Sequence, residues 1–217
     1  MSNAGIRKRL REATLDVHQR LHGHDGFNAV ATGEIDRADY RLLLARLWGF
    51  HRPYEAVLRQ AASDGRTPSS LEGRGRCGML EADLATLGAT PASIADLPQC
   101  GSLRLPASRA GLMGAMYVVE GSTLGGLHLA RALAPLFGSE AGEGRRFFLG
   151  YGERHGEMWR TFLGELEQCA RSPADAEAVI DGALQTFEIF ETWMADWRRL
   201  PSALDFEGRS PALATAH

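Results

Sequence analysis

The chain has 217 residues, 44% of them apolar and 24% charged, a composition that supports a sizeable buried core and excludes a disordered, collagenous or disulfide-scaffold protein. With 24 Lys and Arg against 27 Asp and Glu, spread along the chain, the net charge of −3 offers no basic footprint for nucleic acid. Cys77, Cys100 and Cys169 form no C-x-x-C pair, so neither a zinc knuckle nor a disulfide framework is expected, and a reducing cytoplasm fits best.

Met1-Ser-Asn-Ala4 lacks the apolar stretch of a signal peptide and reads as a cloning remnant, so a single domain is expected over residues 5–200 with a flexible tail at 201–217. Ile6, Leu10, Ala13, Val17 and Leu21 mark the apolar stripe of a first helix ending near Gly23. Asp36 precedes a long stripe from Tyr40 to Ala61, which is closed by Ser63-Asp-Gly65 and carries Pro53 as a point of bending. A weaker helix is predicted from about Leu71 to Leu87, and Gly88 to Pro106 reads as a connection with room for a short helical turn.

From Arg109 to Phe137 runs the most apolar stretch, but Glu120, His128 and Arg131 interrupt it, so it predicts a buried helix and not a bilayer span. A break at Gly138 to Gly142 precedes a predicted helix from about Arg145 to Cys169. Ser172, Pro173 and Asp175 supply a cap, a first-turn proline and a carboxylate at the positive dipole end of a last helix reaching Trp197. No stretch alternates with period two, so the expected class is all-α.

Two constellations could carry chemistry. Arg11, Leu15, His18 and His22 fall along one side of the first helix, where a histidine at the rim of an apolar face can ligate a metal and a cation two turns away can pair with an anion on the same ligand. The plain alternative is a half-buried histidine beside a solvated arginine. The second constellation is Glu120-Gly-Ser-Thr-Leu-Gly-Gly126 inside an otherwise helical pattern. Each helical glycine costs about 1 kcal/mol relative to alanine, so Gly121, Gly125 and Gly126 call for a reason, either close helix packing or close approach of a flat ligand. The hydroxyls of Ser122 and Thr123 can bond back to the helix or face ligand and water. His18, His22 and His24 lack the ligand set of a zinc site, and no Glu is followed three residues later by His, as a di-iron bundle would require.

Together, Leu10-Arg-Glu-Ala-Thr-Leu-Asp-Val-His18 and Gly114-Ala-Met-Tyr-Val-Val-Glu-Gly-Ser-Thr-Leu-Gly-Gly126 resemble the proximal and distal helices of the heme oxygenase family, with the bacterial biliverdin-producing enzymes most similar. The resemblance spans roughly Ile6 to Trp197, including the stretch from Phe27 to Gly33, and implies a single helical bundle holding heme between those two helices. It implies that His18 is the axial iron ligand and Arg11 a propionate contact, with Tyr117 a further candidate for that contact. Gly121 and Gly125 match the distal glycines beside the oxygen-binding face, Gly126 extends that motif, and Phe187 matches an aromatic wall. Ser122 departs from the animal pattern, which has Asp there; Arg154 and Arg160 are candidates for distal basic contacts.

The implied reaction opens heme, at once cofactor and substrate, with molecular oxygen to biliverdin, CO and ferrous iron. Electrons would come from an external donor such as a ferredoxin or flavin reductase, because the chain has no nucleotide-binding motif. A biliverdin acceptor such as a phytochrome is a further implied partner. Competing readings are a heme-binding or heme-delivery protein without turnover and a non-heme member of the wider fold, either a di-iron oxidase or a thiaminase-like hydrolase.

Overall fold

The computed structural model describes residues 4–67, 71–137 and 142–199. The flexible tail expected at 201–217, the first three residues of the stretch read as a cloning remnant and most of the break expected at Gly138 to Gly142 lie outside the described residues. Among the described residues every regular element is a helix and there is no strand. The helices are α1 (Ala4–Ala13), α2 (Leu15–His22), α3 (Asp25–Thr32), α4 (Arg37–Ser63), α5 (Cys77–Thr86), α6 (Pro91–Ala95), α7 (Arg109–Ala132), α8 (Ala134–Phe137), α9 (Arg146–Leu149), α10 (His155–Cys169) and α11 (Pro173–Met194).

The predicted first helix is α1 and α2, divided at Thr14, whose hydroxyl bonds back to the Leu10 carbonyl at 2.7 Å. The chain then turns into α3, where sequence reading assigned no helix; Gly33, with φ of 72°, ends it in the left-handed conformation. Asp36 caps α4 by accepting from the Asp39 N–H at 2.7 Å. Pro53 lies inside α4 and has no N–H for the Gly49 carbonyl, which instead accepts from the Cys100 N–H at 2.9 Å.

Two expected helices are shorter than the sequence suggested, for the same physical reason. Gly73 sits at φ 71° in the predicted Leu71 to Leu87 helix, and α5 begins only at Cys77. There Glu55 of α4 accepts from the Arg76 and Cys77 N–H groups at 2.5 and 2.9 Å, so a distant carboxylate supplies the cap. The predicted Arg145 to Cys169 helix is broken into α9, a 3₁₀ turn over Gly152–Arg154, and α10, with Gly150 and Gly152 at positive φ. Buried Asp83 of α5 accepts from the Arg146 and Phe147 N–H groups at 2.9 and 2.8 Å and fixes where α9 starts. Burial lifts the Asp83 carboxyl to a pKa of about 6, against the stabilising effect of those two donors.

Helix α11 packs along α7 and also holds α1, α2 and α4. The α7 and α11 backbones touch: a Cβ on Gly114 would lie 1.9 Å from the Val179 carbonyl oxygen, and one on Gly182 2.1 Å from that of Gly111. Arg9 pairs with Glu177 at 2.5 Å and Arg20 with Glu191 at 2.6 Å, which sets α1 and α2 alongside α11 in the same direction. One core cluster joins α1, α4, α7, α10 and α11, and a second joins α3, α4, α5, α9 and the end of α7.

Candidate functional site

Val17 of α2 is buried while Leu15, His18 and His22 are exposed, so the helix presents its histidine row outward. The His18 and His22 rings meet edge to face, with centroids 4.5 Å apart. Partial burial, and secondarily the charge His22 carries when protonated, lower the His18 pKa, which keeps the ring neutral and its lone pair available near pH 7. His24 faces elsewhere: its Nε2 lies 3.0 Å from the Met194 carbonyl, and its ring packs on Phe27 and Trp197.

On α1, Arg7 pairs with Glu167, Lys8 with Glu12 and Arg9 with Glu177. Exposed Arg11 has no such partner among the described residues. Its charge reaches Tyr117 of α7, whose phenol is raised by burial and lowered by Arg11. The structure thus brings Arg11 and Tyr117 to one neighbourhood, with the half-buried Tyr117 ring 5.7 Å from that of Trp159.

The glycines of α7 separate into two kinds. Gly126 is buried, and a Cβ there would stand 2.4 Å from the Phe148 carbonyl oxygen, so close packing of α9 accounts for it. Gly125 is exposed with no atom within 4 Å of where its Cβ would be, and Gly121 has only the Trp159 ring, at 3.7 Å. Helix packing therefore explains Gly126 and leaves Gly125 without a structural reason. Gly126→Ala is expected to lower the stability of the heme-free protein by about 1–3 kcal/mol, and Gly125→Ala to raise it by up to about 1 kcal/mol. Thermal unfolding of the two variants beside the parent checks both signs.

The hydroxyls in this segment turn back on their own helix. Ser122 donates to the Val119 carbonyl at 2.8 Å and Thr123 to that of Glu120 at 2.7 Å. Ser122 is exposed, and with its proton committed it can only accept from a ligand or water. Phe187 is 7% exposed and sits in the core cluster, one turn beyond Leu184, which is exposed. Arg154 pairs with Glu157 at 3.5 Å, and Arg160 donates to the Gly156 carbonyl at 3.0 Å.

Sequence reasoning set Leu15 apart from the apolar stripe but missed the exposure of Leu124 and Leu184; the three are 45, 50 and 38% accessible and lie on α2, α7 and α11. Large apolar side chains left bare on the helices that carry His18, the α7 glycines and Phe187 are what a flat apolar ligand would cover. It also missed Tyr151, whose hydroxyl reaches the buried Glu120 carboxylate at 2.8 Å. Glu120 was legible as a charge interrupting an apolar stretch and as the first residue of the glycine motif, but not as the buried partner of Arg74 and Tyr151.

A heme group fits this donor set: a neutral exposed imidazole, an arginine without a carboxylate, three bare leucines, and a helix face with nothing above Gly125. The chain superposes on the heme oxygenase from Leptospira interrogans with a TM-score of 0.71 and 16% identity, covering 90% of this chain and 100% of that one. It superposes on heme oxygenase-1 from the cyanobacterium Synechocystis sp. PCC6803, solved in complex with heme, with a TM-score of 0.68 and 17% identity, covering 88% of this chain and 91% of that one. No curated protein sequence matches the chain. The family profile described as Heme oxygenase matches residues 4–196, and with nearly the whole helical domain inside that match, the chain belongs to the heme oxygenase family.

Proposed function

We propose that this protein binds heme between α2 and α7, with His18 as the axial ligand of iron, and opens it to biliverdin with release of CO and ferrous iron. The observation that carries the reading is the bare face at Gly125, on a helix whose neighbouring glycine is filled by packing. When bound, heme supplies both the redox-active iron and the macrocycle that is itself opened. His18, whose ring is neutral near pH 7, would hold the iron through a ring nitrogen, and the iron would supply the oxygen chemistry.

Leu15, Leu124 and Leu184 exclude water from the apolar faces of the ligand, and Arg11, with Tyr117 beside it, receives a propionate. The absence of side chains at Gly121 and Gly125 lets the α7 backbone approach the reacting edge. Ser122 takes the place of the animal carboxylate only as an acceptor, so proton delivery falls to water held against the backbone. Arg11 is exposed, and its substitution by Glu is expected to weaken heme binding by no more than about 1 kcal/mol, with a changed ratio of biliverdin isomers as the heme rotates. Heme titration and chromatography of the products measure the two effects.

Electrons come from a separate ferredoxin or flavin reductase, and the biliverdin is available to an acceptor such as a phytochrome. Three free cysteines agree with a reducing cytoplasm, and none of the described helices is long and apolar enough to cross a membrane. A second reading, heme carriage without turnover, draws on the missing carboxylate at Ser122. Incubating the purified protein with hemin and a reductant tests the two readings against each other. Loss of the Soret band with growth of a biliverdin spectrum supports the enzyme, a stable His-ligated spectrum supports carriage, and absence of heme binding refutes both.

A further inference from the structure

Behind the bare face of α7 lies a charge that the proposed reaction does not use. Glu120 is 3% exposed and immediately precedes Gly121. Arg74 donates to its Oε2 at 2.6 Å, and the Tyr151 hydroxyl lies 2.9 and 2.8 Å from its two oxygens. The Arg76 guanidinium covers the Tyr151 ring at 4.2 Å, and burial pushes the Tyr151 hydroxyl up to about 12, so it remains a donor. Burial raises the Glu120 carboxyl while Arg74, Tyr151 and Arg76 oppose that shift.

A buried ion pair is weak evidence for stability, since removing two charges from water offsets their attraction, so its presence behind α7 calls for another account. Position supplies one. The stretch from Gly121 to Gly125 has little holding it from the front, and the back-bonded hydroxyls of Ser122 and Thr123 favour bending of the helix. It is held from behind at both ends by one irregular segment: Tyr151 grips Glu120, and the Phe148 carbonyl abuts Gly126. That segment is in turn fixed by buried Asp83. Gly125 lies about 140° around α7 from Glu120 at 100° per residue, so the grip is on the far side from the bare face.

Resting on the heme-opening reading, we infer that Glu120 is a positioning residue: its carboxylate, pinned by Arg74 and Tyr151, sets the placement of the Gly121 to Gly125 backbone over the ligand, in a chain that has no carboxylate at 122. Tyr151→Phe removes the phenolic grip while keeping the ring under Arg76 and the Arg74 pair. In the heme-free protein, amide hydrogen exchange over residues 119–126 should quicken roughly tenfold while exchange in α4 stays at the parent rate. With hemin bound, affinity should stay within about threefold of the parent, biliverdin should form several-fold more slowly, and more reductant should be lost to hydrogen peroxide. Glu120→Gln keeps the shape and removes the charge; if it folds, it should show the same pattern more strongly.

Parent-like exchange and parent-like biliverdin yield in Tyr151→Phe would overturn the inference, as would slowing that merely follows a lowered melting temperature with exchange raised throughout the chain. A parent protein that binds no heme would sink the functional reading instead, and the exchange measurement on heme-free protein would still report whether Glu120 holds α7.

Discussion

Gly125→Leu should bind heme within a few-fold of the parent affinity and form biliverdin on the order of tenfold or more slowly. The leucine side chain enters space where no atom lies within 4 Å of the added Cβ, so α7 can accept it without disturbing the fold. Binding survives because His18 is on another helix. Turnover suffers because the side chain projects over the face that the ligand's reacting edge must share with the helix backbone. Difference spectra on hemin titration and single-turnover kinetics separate the two quantities. Degradation at the parent rate would make Gly125 a glycine of no consequence to the reaction and remove the main support for the α7 assignment.

His18→Ala should abolish the His-ligated ferric spectrum and weaken heme binding by about tenfold or more, and added imidazole should restore the spectrum. The His18 side chain is exposed on α2, and its ring contact is with His22, while the His18 N–H that bonds the Thr14 carbonyl at 3.0 Å is kept by alanine, so the substitution leaves the helix intact. The lowered pKa of the parent ring also fixes the direction of the pH effect. Ligation needs the neutral imidazole, so it is lost as pH falls through a value below the usual histidine range and is fully present above it. His22 is one turn along the same row, with its ring against that of His18. An unchanged spectrum in His18→Ala, together with its loss in His22→Ala, would move the ligand to His22.

Local signals carried the reading furthest. Asp36 and Ser172 each accept from the N–H three residues on, at 2.7 and 3.0 Å, and a helix start of that kind involves only neighbours in the chain. The histidine row of α2 was visible for the same reason, since spacing alone puts His18 and His22 on one face. What the sequence concealed depends on partners far along the chain. Helix α3 opens with Asp25-Gly26, which reads as a turn, yet the Trp197 indole donates to Asp25 at 2.6 Å and its ring lies 3.0 Å from where a Gly26 Cβ would be. The start of α5 depends on Glu55 and the start of α9 on Asp83, caps that no local pattern announces.

The glycines of α7 make the point within the site. Gly125 and Gly126 are adjacent and identical as letters, and only the arrival of the Phe148 carbonyl at one of them distinguishes a packing glycine from a bare one. Spacing set Leu15 off the apolar stripe beside His18, whereas Leu124 and Leu184 were indistinguishable from core leucines by pattern, because exposure is decided by which helices fail to meet. The departure at Ser122 was legible; that its proton goes to Val119, and that the Glu120 carboxylate two residues earlier is buried, was not.

The most direct test of heme opening is the simultaneous measurement of CO and biliverdin from one equivalent of hemin bound to the parent protein, with a reductant supplied and catalase present to destroy free peroxide. Equal amounts of CO and biliverdin, formed as the Soret band disappears, are the expected result. Bleaching of the heme without CO, or a heme complex that survives reduction in air unchanged, would contradict it.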